Sequence, residues 1–167
     1  MQWSNGCAGA CSFPGVVREQ IPDVQEGISP GTVEDALRFN GYTCDGILAF
    51  TQDGKDRYSW SCEKKTNSAD FLVYMESTRS DYIDIILASV TQPFPSEAVT
   101  SDFFTSMTTI QFGRTPDAQA QAAAWITKAL PLLTGEAGTS ESTTVDGVPL
   151  KMYGSPNARF LEMGERK

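Results

Sequence analysis

Cys44 and Cys62 stand at mirror-image positions about Asp53, and that symmetry restricts the fold more than anything else in the chain. The intervening residues read as two short strands around Gln52-Asp53-Gly54. A three-residue loop with Gly54 in the left-handed position of a G1 bulge sets the register. Thr51 then faces Lys55, Phe50 faces Asp56, Leu48 faces Tyr58, Gly46 faces Trp60 and Cys44 faces Cys62. Opposed residues in a non-hydrogen-bonded pair bring their Cβ atoms to about 4.5–5.5 Å, close to what a disulfide requires. Leu48, Phe50, Tyr58 and Trp60 would share the face of the disulfide and enter the core. Asp45, Thr51, Lys55, Arg57, Ser59 and Ser61 would form a solvated face.

Four cysteines allow three pairings. The hairpin favours Cys44–Cys62 and leaves Cys7 with Cys11. A C-x3-C pair in a chain without histidine is too sparse for structural zinc. Disulfides persist outside the cytoplasm, so the expected address is extracytoplasmic: secreted, periplasmic or membrane-anchored. No apolar run is long enough to span a bilayer. The first residues also lack the pattern of a signal peptide, so export would need a leader upstream of Met1. Ala8-Gly9-Ala10-Cys11 ends like a lipid-attachment site but has no apolar segment before it.

The net charge of −8 argues against nucleic acid or an anionic membrane as a partner, since both need a basic footprint. Lys55, Arg57, Lys64 and Lys65 are offset by Asp45, Asp53, Asp56 and Glu63.

Residues 1–28 read as an arm, 29–164 as a single domain and 165–167 as a tail. A helix opens at Ser29-Pro30 or Thr32 and stops at Gly41. The hairpin strands 44–51 and 55–63 follow, then a polar 64–70 loop, a strand from Phe71 and another over 82–90 that ends before Thr91-Gln92-Pro93. Val99, Phe103, Met107 and Ile110 mark a second helix, and Thr115-Pro116-Asp117 starts a third. After a 134–143 loop, Asp146-Gly147 signals another hairpin and Gly154-Ser155-Pro156-Asn157 turns into a last strand. The expected fold is α+β, order α-β-β-β-β-α-α-β-β-β, with an antiparallel sheet of about seven strands and its helices mainly on one face. Two helix-then-strand halves, 31–90 and 96–163, suggest a tandem arrangement without a residue-level repeat.

The absence of histidine removes Ser-His-Asp and Cys-His nucleophile systems and zinc-protease helices. Gly41 and Gly46 have the spacing of a phosphate loop, but Ile47 and Leu48 replace its Lys and Ser/Thr. Asp53-Gly54-Lys55-Asp56 lacks the later glutamate of a calcium loop. The carboxylate pairs are Asp81 with Asp84, on opposite faces of a regular strand, and Glu34 with Asp35, in a first helical turn where the macrodipole accounts for them. No catalytic, cofactor or metal residue is assigned.

Gly41-x-x-Cys44, Trp60-x-Cys62, the strand–turn–strand that follows and the Trp125 helix together resemble domains of uncharacterised secreted or lipid-anchored bacterial proteins. That resemblance spans about residues 31–163 and implies an extracytoplasmic address without an activity. The helix-plus-four-strand order also resembles part of the β-lactamase-inhibitor-protein fold, whose sheets bind another protein. The expected function is non-enzymatic binding of a protein or cell-envelope component through the 52–54, 64–70 or 134–143 segments. The alternative is a carboxylate-dependent hydrolase acting on glycans.

Overall fold

The computed structural model describes residues 28–93, 96–136 and 139–167. Cys7, Cys11 and the rest of the arm to residue 27 lie outside the described residues. The elements are α1 (Pro30–Phe39), β1 (Thr43–Cys44), β2 (Leu48–Gln52), β3 (Lys55–Lys65), β4 (Ala69–Ser77), β5 (Ile85–Pro93), α2 (Glu97–Gln111), α3 (Pro116–Ala129), β6 (Ser140–Val145), β7 (Val148–Ser155) and β8 (Ala158–Gly164). All eight strands form one antiparallel sheet in the order β1-β3-β4-β5-β8-β7-β6, with β2 continuing the β1 edge along β3. The α+β order agrees with the sequence. The two halves are separate meanders that meet where β5 pairs with β8.

The disulfide joins Cys44 of β1 to Cys62 of β3, directly opposed in the register. The turn differs from the expected one. Asp53 (φ 53°) and Gly54 (φ 73°) are both left-handed, so Gln52 pairs with Lys55 across a two-residue loop. Asp-Gly favours this type I′ geometry because its twist matches that of the strands. The turn and the disulfide then demand registers that differ by one. The excess residue lies in Asp45-Gly46-Ile47, three residues opposite Trp60 and Ser61, a bulge that splits the expected first strand in two.

The offset reverses the faces of β2. Leu48 opposes Ser59 and Phe50 opposes Arg57, so neither shares the face of Tyr58 and Trp60, and Leu48 is 62% exposed. The face expected to be solvated is also partly closed, since Arg57 and Ser59 are both buried. Arg57 is drawn in by Glu76 on β4, at 2.9 Å.

Trp60 and Cys62 are core residues, as the sequence indicates. Across the sheet their layer continues through Val73 and Met75, Ile86 and Ala88, Leu161 and Met163, and Leu150 and Met152. Val33 and Leu37 of α1, Phe103, Phe104 and Met107 of α2, and Ala122 and Ile126 of α3 join the same core. Ser29 caps α1, accepting from the Thr32 N–H at 3.2 Å. Glu34 and Asp35 therefore lie beyond the first turn and pair with Arg38 at 3.5 and 3.8 Å. The fourth strand starts at Ile85 and runs on to Pro93, past the expected stop. The expected 64–70 loop shrinks to Thr66-Asn67-Ser68, closed by the Thr66 hydroxyl accepting from the Ala69 N–H at 3.0 Å.

Cys44→Ser is expected to lower unfolding stability by about 2–4 kcal/mol, since the bridge closes a loop across 18 residues. Denaturant melts measure the loss, and non-reducing peptide mapping should recover the 44–62 pair. Recovery of Cys44 bound to Cys7 or Cys11 would contradict the register.

Candidate functional site

The end of α1 is built by one local motif. Asn40 is the C-cap and Gly41, at φ 85°, follows it. The Gly41 N–H donates to Arg38 O at 3.0 Å and the Tyr42 N–H to Leu37 O at 3.1 Å. This is a Schellman ending, and glycine fits its left-handed position because a side chain there would be strained. The chain reverses so that Tyr42 returns over Leu37 and leads straight into the disulfide strand.

That reversal leaves a cleft of about 590 Å³ between α1 and α2, above the β3–β4 turn. Leu37, Tyr42, Phe71, Phe103 and Met107 give it an apolar floor. Phe71 meets Phe103 edge-on at 5.0 Å between centroids, and Tyr42 lies parallel to Phe103 at 6.4 Å. The rim is polar: Lys64, Thr66 and Ser68 from the β3–β4 end face Asp102, Ser106 and Thr109 of α2 across the opening. Lys64 Nζ donates to Asn40 O at 2.9 Å and sits 5.6 Å from the Tyr42 ring centroid, so one cation links β3 to the end of α1.

The hydroxyls that α2 brings to the cleft are held within their own helix. Ser106 donates to Phe103 O at 2.6 Å and Thr109 to Thr105 O at 3.1 Å, so both hydroxyls are engaged by their own helix. Without histidine anywhere in the chain, neither has the usual activating base. Burial pushes the Tyr42 hydroxyl up to about 12, and it remains a neutral donor across the physiological range.

The expected carboxylate pairs do not form a catalytic couple. Asp81 is exposed and held by the Arg79 guanidinium at 2.6 and 2.9 Å, which lowers its pKa. Asp84 is buried and accepts from the Thr78 N–H at 2.8 Å and from the Ser77 and Thr78 hydroxyls. A second buried acid, Glu76, was not singled out by the sequence. It receives Arg57 at 2.9 Å, Arg166 at 3.1 Å and the Tyr74 hydroxyl at 3.2 Å. Arg57 also donates to the Lys167 carbonyl, and Lys167 Nζ lies 3.7 Å from Asp84. None of these acids lines any part of the cleft. Among the described residues one trio has metal-ligand proximity, Glu34 with Cys44 and Cys62, but its two sulfurs are spent in the disulfide.

Of the three segments expected to carry contacts, 64–70 supplies Lys64, Thr66 and Ser68 to the cleft. The 52–54 turn does not reach it. From the 134–143 segment, Gly135, Glu136, Thr139 and Ser140 border a separate, shallower recess by β7. Tyr42, Asp102 and Ser106 were missed. The one local signal for Tyr42 was its position directly after the Gly41 stop. The helical spacing of Val99, Phe103, Met107 and Ile110 marks α2 but not its cleft, and Phe103 and Met107 are core residues that also floor it.

Comparisons with protein-family models, curated proteins and solved structures found no match.

The raised Tyr42 pKa has a testable sign. The neutral form is favoured by folding, so its contribution is complete below pH 10 and is lost as pH rises through about 12. The ultraviolet alkaline titration of wild type minus that of Tyr42→Phe should show one tyrosine ionising near 12. A component near the ordinary value of 10 would place Tyr42 in water and remove the cleft floor.

Proposed function

We propose that this chain is a non-enzymatic, extracytoplasmic binding domain whose ligand, a protein or cell-envelope component, seats in the cleft between α1 and α2. The observation that carries this reading is the pairing of an aromatic floor with a polar rim whose hydroxyls and ammonium are tied to backbone carbonyls. Such a site places donors and acceptors around an apolar contact without activating any of them. It suits a ligand that offers an aromatic or aliphatic group flanked by polar atoms. The disulfide supports an address outside the cytoplasm. Among the described residues no helix is long and apolar enough to cross a membrane. The hydrolase reading loses its motivation because the buried acids, Glu76 and Asp84, are matched by Arg57, Arg166 and Lys167.

Ser106 is exposed on α2 at the mouth of the cleft, so Ser106→Trp fills the opening without entering the core. Affinity capture from an envelope fraction should enrich a component on the wild-type domain and lose it at least about tenfold on Ser106→Trp. Equal capture by both proteins would move the site elsewhere. Turnover of a glycan substrate with no component captured would reverse the reading.

A further inference from the structure

The two edges of the sheet are built differently. At one edge, the bulge Asp45–Ile47 interrupts the outer strand and divides it into β1 and β2. Bulges at an edge discourage strand addition. The other edge, β6, has no bulge, and Glu141 is its one charge. Its six residues, Ser-Glu-Ser-Thr-Thr-Val, pair with β7 in unbroken register and include no proline, lysine or glycine.

The outward-facing backbone groups of β6 follow from its hairpin. Asp146 (φ 49°) and Gly147 (φ 80°) form a second two-residue turn, closed by Val145 opposite Val148. Residues flanking such a turn form a hydrogen-bonded pair, and the alternation of an antiparallel ladder gives the same role to Thr143 and Glu141. Ser140, Ser142 and Thr144 therefore direct their N–H and C=O groups away from β7, toward the open edge. All three are exposed, and none has a backbone partner outside the ladder.

We propose that β6 pairs with β6 of a second copy of this chain, antiparallel about a two-fold axis at Ser142, extending the sheet across a dimer. The strand is self-complementary in that register. Ser142 meets Ser142 of the partner, and Ser140 meets Thr144, forming about six backbone hydrogen bonds. Glu141, the one charge in the strand, falls opposite Thr143, so no like charges meet. The side chains of Ser140, Ser142 and Thr144 lie on the sheet face away from the helices, because Ser142 opposes Lys151 and Lys151 opposes Glu162. The axis stands perpendicular to the sheet, so both helix layers remain on one side, with the two clefts at the far ends of the joined sheet.

Sedimentation of the purified chain from about 1 µM to about 1 mM should show reversible dimerisation. Ser142→Pro removes one outward N–H per copy and no bond to β7, since proline is tolerated on an edge where its nitrogen faces solvent. It should weaken the dimer by at least about 30-fold while leaving the melting temperature of the monomer unchanged. Nitroxides at Lys151→Cys should then report a short inter-copy distance in the wild-type background, as the labelled strands are three strand spacings apart, about 14 Å. A monomer throughout that range, or a dimer that Ser142→Pro leaves intact, would overturn the proposal. So would an edge that instead takes up an extended peptide of another protein.

Discussion

The cross-link between Cys44 and Cys62 sets the terms for everything at its end of the sheet. It fixes the register of β1 against β3, and the Asp53-Gly54 turn fixes that of β2 against β3, one residue out of step. Neither can yield: the first is covalent, and the second requires two left-handed residues that Asp and Gly supply. The bulge at Asp45–Ile47 absorbs the difference, with Gly46 at its centre. The outer strand is broken as a result, and Leu48 turns away from the core. The bridge also lies under α1, with Cys44 Sγ 3.9 Å from the Glu34 carbonyl oxygen. The helix that forms one wall of the cleft thus rests on the staple.

From that anchor the cleft follows by short steps. Gly41 ends α1, Tyr42 folds back over Leu37, and Lys64 crosses from β3 to hold the Asn40 carbonyl. Phe71 and Phe103 complete the floor from the sheet and α2. Lys64, Thr66, Ser106 and Thr109 at the opening each have a local partner that keeps them in place. Preorganisation of this kind favours binding, because little side-chain freedom remains to be lost when a ligand arrives.

Much of this was legible in the sequence because it depends on local or covalent rules. The helix starts at Ser29-Pro30 and Pro116, the Gly41 stop, the Cys44–Cys62 pair and the core position of Trp60 belong to that class. The turn type was harder, since Asp-Gly serves in both two- and three-residue loops and the cysteine symmetry favoured the longer one. Arg57 looked solvated because its strand alternates polar residues, while its partner Glu76 sits nineteen positions on, across a strand pair. The cleft could not be read at all. Val99, Phe103, Met107 and Ile110 have one spacing whether they fill a core or border a gap, and only the placement of α1 against α2 decides between them.

The disulfide holds α1 in place and thereby keeps the cleft open. Hydrogen exchange of the oxidised and reduced protein tests this directly, because amide protection reports local opening segment by segment. Reduction should accelerate exchange throughout Pro30–Phe39 and at Tyr42 while the amides of β5 and β8 keep their protection. Unchanged protection in α1, or an equal loss in β8, would contradict the account.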